Sequence, residues 1–118
     1  MDFKIEKLNG YILVQMQKEK LDTTVAPSLK SELVLLAGNN EKNILLDLAK
    51  CSYCDSSGLS AILVANRLSK NNDGVFILAG LQPAVERLIS VSQLNNVINI
   101  APTAKDGEEM MRKAVDKQ

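Results

Sequence analysis

Two adjacent segments carry the residue types that could do chemistry. Cys51-Ser52-Tyr53-Cys54 has Cys-x-x-Cys spacing, and Asp55-Ser56-Ser57-Gly58-Leu59 follows it directly. Two thiols so spaced can exchange a disulfide when a helix N-terminus lowers the pKa of one of them. This pair is expected to straddle the end of a strand, without that help, and two thiolates do not close a tetrahedral zinc site. Small buried apolar side chains are therefore their expected role. The second segment reads as a strand-to-helix junction. There Ser56 or Ser57 can cap the helix by accepting a backbone N–H. The same place suits a modification. A helix N-terminus carries roughly half a positive charge and tolerates the charge of about −1.5 to −2 that a phosphate adds. Beside Asp55, that charge is expected to repel a partner rather than to order the loop.

Other chemistries are missing from the sequence. Histidine does not occur, which removes Ser-His-Asp and Cys-His nucleophiles and histidine-ligated metals. Neither Gly-x-x-x-x-Gly-Lys-Ser/Thr nor Gly-x-Gly-x-x-Gly is present, so both common phosphate cradles are absent. The expectation is a binding module, not an enzyme, with no cofactor and no metal. Lys and Arg number 14 against 14 Asp and Glu, and aromatics are 3%. Such a balance offers no field for nucleic acid and few rings to stack bases. The first residues, Met1-Asp2-Phe3-Lys4-Ile5-Glu6-Lys7, alternate charge with apolar groups where an export signal needs an apolar run. No stretch approaches the roughly 20 apolar residues that span a bilayer. A cytoplasmic protein with reduced cysteines and no membrane insertion is expected.

The elements that must position the serine loop follow from periodicity. With 118 residues, 46% of them hydrophobic, the chain is one domain able to bury its own core. Phe3 and Ile5 alternate with charges, Asn9-Gly10 interrupts, and Tyr11 to Met16 resumes. That predicts an antiparallel hairpin with a type I′ turn. Leu29, Leu33 and Leu36 predict a helix entered through Pro27 and stopped at Gly38-Asn39-Asn40. Asn43 to Leu48 and Val75 to Ala79 read as buried strands, and Val97 to Ile100 as a last short one. Helices are expected over Leu59 to Leu68, from Pro83 with Val85, Leu88 and Ile89 inward, and from a Thr103 cap with Ala104, Gly107, Met111 and Ala114 inward. The alternation implies an α/β domain: a mainly parallel sheet of about five strands, an N-terminal antiparallel hairpin and about four helices. The Leu59–Leu68 helix is apolar on almost every side, so it is packed deep or meets a partner.

With these residues in view, the chain resembles the STAS domain family (sulfate-transporter and anti-sigma-factor-antagonist domains) over residues 1–118, most closely its stand-alone bacterial anti-sigma factor antagonists. Ile44 to Leu48 followed by Asp55-Ser56-Ser57-Gly58-Leu59 is similar to the family's buried strand and phosphorylation loop. Leu21-Asp22-Thr23-Thr24 resembles its entry to the first helix, and Pro83 to Leu88 through Ser92 and Leu94 its third-helix signature. Departures are Glu19-Lys20 where Gly-Glu is common, Gln93 for a common glycine, and Cys54 for a larger apolar residue. The resemblance implies a STAS-like fold and phosphorylation at Ser56, with Ser57 the alternative. It further implies that the unphosphorylated form sequesters an anti-sigma factor, itself a histidine-kinase-type ATPase, and that a phosphatase resets the switch. Asp22, Thr23, Asp55, Ser57, Gly58 and Leu59 are the expected partner-binding residues. A constitutive accessory subunit, such as a STAS partner of a lipid ABC transporter, is the other reading.

Overall fold

The computed structural model describes residues 2–118. The strands are β1 (Phe3–Leu8), β2 (Tyr11–Met16), β3 (Lys20–Leu21), β4 (Ile44–Asp47), β5 (Tyr53–Cys54), β6 (Phe76–Ala79) and β7 (Asn99–Ala101). The helices are α1 (Ala26–Gly38), α2 (Ser56–Asn71), α3 (Pro83–Val91) and α4 (Ala104–Asp116). Five strands form one sheet in the order β1-β2-β4-β6-β7, with β1 antiparallel to β2 and the other pairs parallel. From β2 onward each crossover moves one place in the same direction, and right-handed crossovers then put α1, α2 and α3 on one face.

Strict alternation within the central strands explains how both faces are covered. Ile44, Leu46 and Leu48 join Ile12, Val14, Phe76 and Leu78 under the three helices, where Leu29, Ile62 and Ile89 meet them. Leu45, Leu13, Ile77 and Ala79 point to the opposite face and pack under Met111 of α4. A strand buried on both sides carries apolar residues at successive positions, and that is why Ile44–Leu46 of β4 and all of β6 show no polar alternation.

Several boundaries differ from the sequence expectations. In the hairpin, Leu8 pairs with Tyr11 across Asn9-Gly10, but Gly10 alone of the two takes positive φ, at 84°. The turn is therefore not type I′, which needs both residues there. The last strand starts at Asn99 rather than Val97. Gln93 turns left-handed at φ 60°, Leu94–Asn96 form a 3₁₀ turn, and Ile98 N–H donates to Leu94 O at 2.9 Å, which holds Val97 and Ile98 out of the sheet. At the other end, Thr103 accepts from Asp106 N–H at 3.0 Å and starts α4 as expected. The second helix begins three residues before Leu59, and this matters for the site.

Asn43 closes the pole of the sheet remote from the serine loop. Its Nδ2 donates to Gly10 O and to Gln118 Oε1, each at 2.9 Å, and its Oδ1 accepts from Val75 N–H at 2.9 Å and from Gln118 Nε2 at 2.8 Å. One buried amide thus fixes the hairpin turn, the starts of β4 and β6, and the end of the chain. Asn43→Ala strands the Val75 donor and is expected to lose about 1–3 kcal/mol of stability in urea unfolding. Gln118→Ala leaves that bond intact and should cost less than half as much.

Candidate functional site

The serine loop owes its shape to a pairing of two residues on each side. β3 and β5 run parallel, with Lys20 opposite Tyr53 and Leu21 opposite Cys54. Ser52 and Tyr53 N–H groups donate to Glu19 O at 2.8 and 3.2 Å, and Asp55 N–H to Leu21 O at 3.3 Å. The entry to α1 and the entry to α2 are thereby clamped side by side. Residues 22 and 55 follow β3 and β5 in matching positions, and each carboxylate builds a turn.

At Asp22, Oδ1 accepts from the Thr24 hydroxyl at 2.6 Å and from Thr24 N–H at 2.9 Å, while its carbonyl accepts from Val25 and Ala26 N–H groups. The Thr24 hydroxyl foremost, then its N–H, holds the Asp22 carboxyl below the usual carboxylate pKa. At Asp55, Oδ1 accepts from Ser57 N–H at 2.9 Å and Gly58 N–H at 3.1 Å. Asp55 is therefore the cap of α2, and Ser56 and Ser57 are its first two helical residues. Neither serine is the cap expected from the sequence. Aspartate wins because its carboxylate accepts two donors at once and its charge favours a helix N-terminus.

This capping changes what the serines can do. Two of the helix N–H donors that could receive a phosphate, those of Ser57 and Gly58, are already bonded to Asp55. Ser56 is exposed, whereas Ser57 is half-buried. Ser57 lines a depression of about 130 Å³ with Thr23, Ala26, Pro27 and Lys30. The structure thus brings Thr23 and Ser57 together and adds Lys30, which the sequence did not single out. Its only signal was its place one turn beyond Pro27. Leu59 is partly buried against the core.

Gly58 does not sit on the surface. It is buried, and a Cβ there would lie 2.5 Å from Leu21 O and 2.9 Å from Leu21 Cγ. It makes possible the close approach of α2 to β3. The exposed side of α2 includes Leu63 and Arg67.

The cysteines also lie elsewhere than expected. Cys51 stands in the turn after β4, and Cys54 ends β5, one residue before the cap of α2. Proximity to a helix N-terminus would lower a thiol pKa, but burial decides here. Cys54 is pushed up to about 12, by burial first and then by Cys51 and Asp55. Burial also raises Cys51, whose Sγ donates to Tyr53 O at 3.0 Å. Both thiols are free. Among the described residues no group of three or more Cys, Asp or Glu is placed to hold a metal ion, and no helix is long and apolar enough to cross a membrane.

The family model described as the STAS domain matches residues 2–107. The chain belongs to the STAS domain family. This STAS domain is 28% identical over 88 residues to the anti-sigma-B factor antagonist of Bacillus subtilis, spanning 75% of this chain and 80% of that one. Among solved structures, an anti-sigma factor antagonist from Mycobacterium paratuberculosis matches with a TM-score of 0.83 at 21% identity, over 93% of this chain and 92% of that one. The Bacillus cell fate determinant SpoIIAA, an anti-sigma factor antagonist, matches in its unphosphorylated form with a TM-score of 0.74 at 20% identity, over 85% of this chain and 88% of that one. Its phosphorylated form matches with a TM-score of 0.69 at 18% identity, over 98% and 97%. At these identities the solved structures show a shared fold.

Two outcomes are expected from this geometry. Asp55→Ala should destabilise the STAS domain by about 0.5–2 kcal/mol in urea unfolding, and Asp55→Ser should recover most of the loss. Cys51 and Cys54 should resist iodoacetamide at pH 8 in the folded protein and react fully in urea, read by intact mass, because a thiolate is the attacking form.

Proposed function

We propose that this STAS domain is an anti-sigma factor antagonist, a binding module without catalytic activity whose partner choice is switched by phosphorylation of Ser56. The observation that carries the reading is the Asp55 cap. With Ser57 and Gly58 N–H groups bonded to Asp55, a phosphate on exposed Ser56 meets a helix start at which two of the donors are already engaged by a carboxylate. It adds about −1.5 to −2 beside the carboxylate and leaves the helix in place. The likeness to antagonists of Bacillus subtilis and Mycobacterium paratuberculosis, and to SpoIIAA in two phosphorylation states, supports the same reading.

In this account the unphosphorylated domain sequesters an anti-sigma factor in the cytoplasm through a surface that includes Asp22, Thr23, Asp55, Ser57, Leu59 and the exposed side of α2. That anti-sigma factor is a histidine-kinase-type ATPase, which transfers phosphate to the Ser56 hydroxyl, and a phosphatase removes it. Desolvating the phosphate against a surface without a compensating cation costs several kcal/mol. A penalty of about 3–4 kcal/mol lowers affinity by more than a hundredfold, enough to release the partner.

Calorimetry with the cognate anti-sigma factor tests the switch. Ser56→Asp should bind at least tenfold more weakly than wild type, while Ser56→Ala should bind near normally and escape release by kinase and ATP. The kinase should mark Ser56 rather than half-buried Ser57 in phosphopeptide mass spectrometry. Equal binding by folded Ser56→Asp and Ser56→Ala would replace this reading with a constitutive accessory subunit.

A further inference from the structure

The five-stranded sheet ends on β1, and among the described residues β1 pairs with β2 alone. We infer that two copies of this chain join edge to edge through β1, antiparallel about a two-fold axis at Ile5, to give one continuous ten-stranded sheet.

The backbone sets which residues can pair. Gln17 N–H donates to Asp2 O at 2.8 Å, next to the Phe3–Met16 register pair. Hydrogen-bonded positions alternate along an antiparallel strand. Asp2, Lys4, Glu6 and Leu8 therefore turn their backbone groups toward β2, and Phe3, Ile5 and Lys7 turn theirs outward. A second β1 must align odd residues with odd residues. Centring on Lys4 would set Lys4 against Lys4, and centring on Glu6 would set Glu6 against Glu6. Centring on Ile5 does neither.

In that register Ile5 faces Ile5 and Phe3 faces Lys7 as hydrogen-bonded pairs. Lys4 faces Glu6 twice, at non-hydrogen-bonded positions, where Cα atoms approach to about 4.5 Å and side chains are closest. Charged side chains on an edge strand ordinarily block such pairing. Here their order blocks two registers and favours the third.

The flanking surface is consistent with a second copy. Lys4, Ile5, Glu6 and Lys7 are all exposed, Ile5 by 37%. Phe3 and Ile5 line a groove of about 280 Å³ with Ser28 and Glu32 of α1. Leu35, on the same stripe of α1 as Ser28 and Glu32, is 60% exposed. The serine loop is carried by the crossover between the central strands β4 and β6, so each copy keeps its own loop away from the paired edges.

Sedimentation equilibrium of the full chain tests the register through two exposed substitutions. Wild type should show a concentration-dependent monomer–dimer equilibrium. Lys4→Glu places two Glu–Glu pairs across the axis and Glu6→Lys two Lys–Lys pairs, so each variant alone should dimerise at least tenfold more weakly. An equimolar mixture restores both opposite-charge pairs and should form a heterodimer close to wild-type affinity. Three results would each overturn the inference. The first is a wild-type monomer up to the solubility limit. The second is a dimer indifferent to both substitutions, and the third a mixture no tighter than the separate variants.

Discussion

Two N–H groups at the start of α2, those of Ser57 and Gly58, are bonded to one carboxylate oxygen of Asp55. The position of the exposed serine depends on that cap, since it sets where the helix begins and places Ser56 at its first turn. The cap in turn depends on the two-residue pairing of β3 with β5, because Asp55 N–H bonds Leu21 O and fixes where the carboxylate starts. The close packing of Gly58 against Leu21 holds the helix onto that support. A strand pairing, a side-chain cap and a missing Cβ thus converge on four residues.

The consequence is electrostatic. A helix N-terminus left open would bind a phosphate and quench part of its charge. Here the internal carboxylate has taken two of those donors, and in the proposed reading charge added at Ser56 faces outward. Such a module needs no large conformational change to switch. In the proposed reading its surface presents either a neutral hydroxyl or about two negative charges, and the partner supplies the discrimination.

Much of this was legible in the sequence because hydrophobic period reports burial directly. The alternation of strand and helix gave the element order and the mainly parallel sheet, and Val85 with Ile89, or Gly107 with Met111, marked inward faces that are buried. What escaped was short or depended on distant partners. β3 and β5 are two residues each and leave no periodic trace. Asp55 and two adjacent serines are all good caps by type, and only the chain path out of β5 selects among them. Asn43 looked like the polar start of a strand, yet its four hydrogen bonds reach three residues 32 to 75 positions away in sequence. The Cys54 thiol combines a position that lowers pKa with a burial that raises it, and local sequence carries no measure of burial.

The central claim is that phosphate on Ser56 acts outward while Asp55 keeps the helix donors. Amide chemical shifts and hydrogen exchange of Ser57 and Gly58, measured before and after enzymatic phosphorylation of Ser56, address it directly. The account predicts that both amides stay protected and change little, although affinity for the anti-sigma factor collapses. Large shifts with loss of the Asp55 bonds, as the phosphate takes over the two N–H groups, would contradict it.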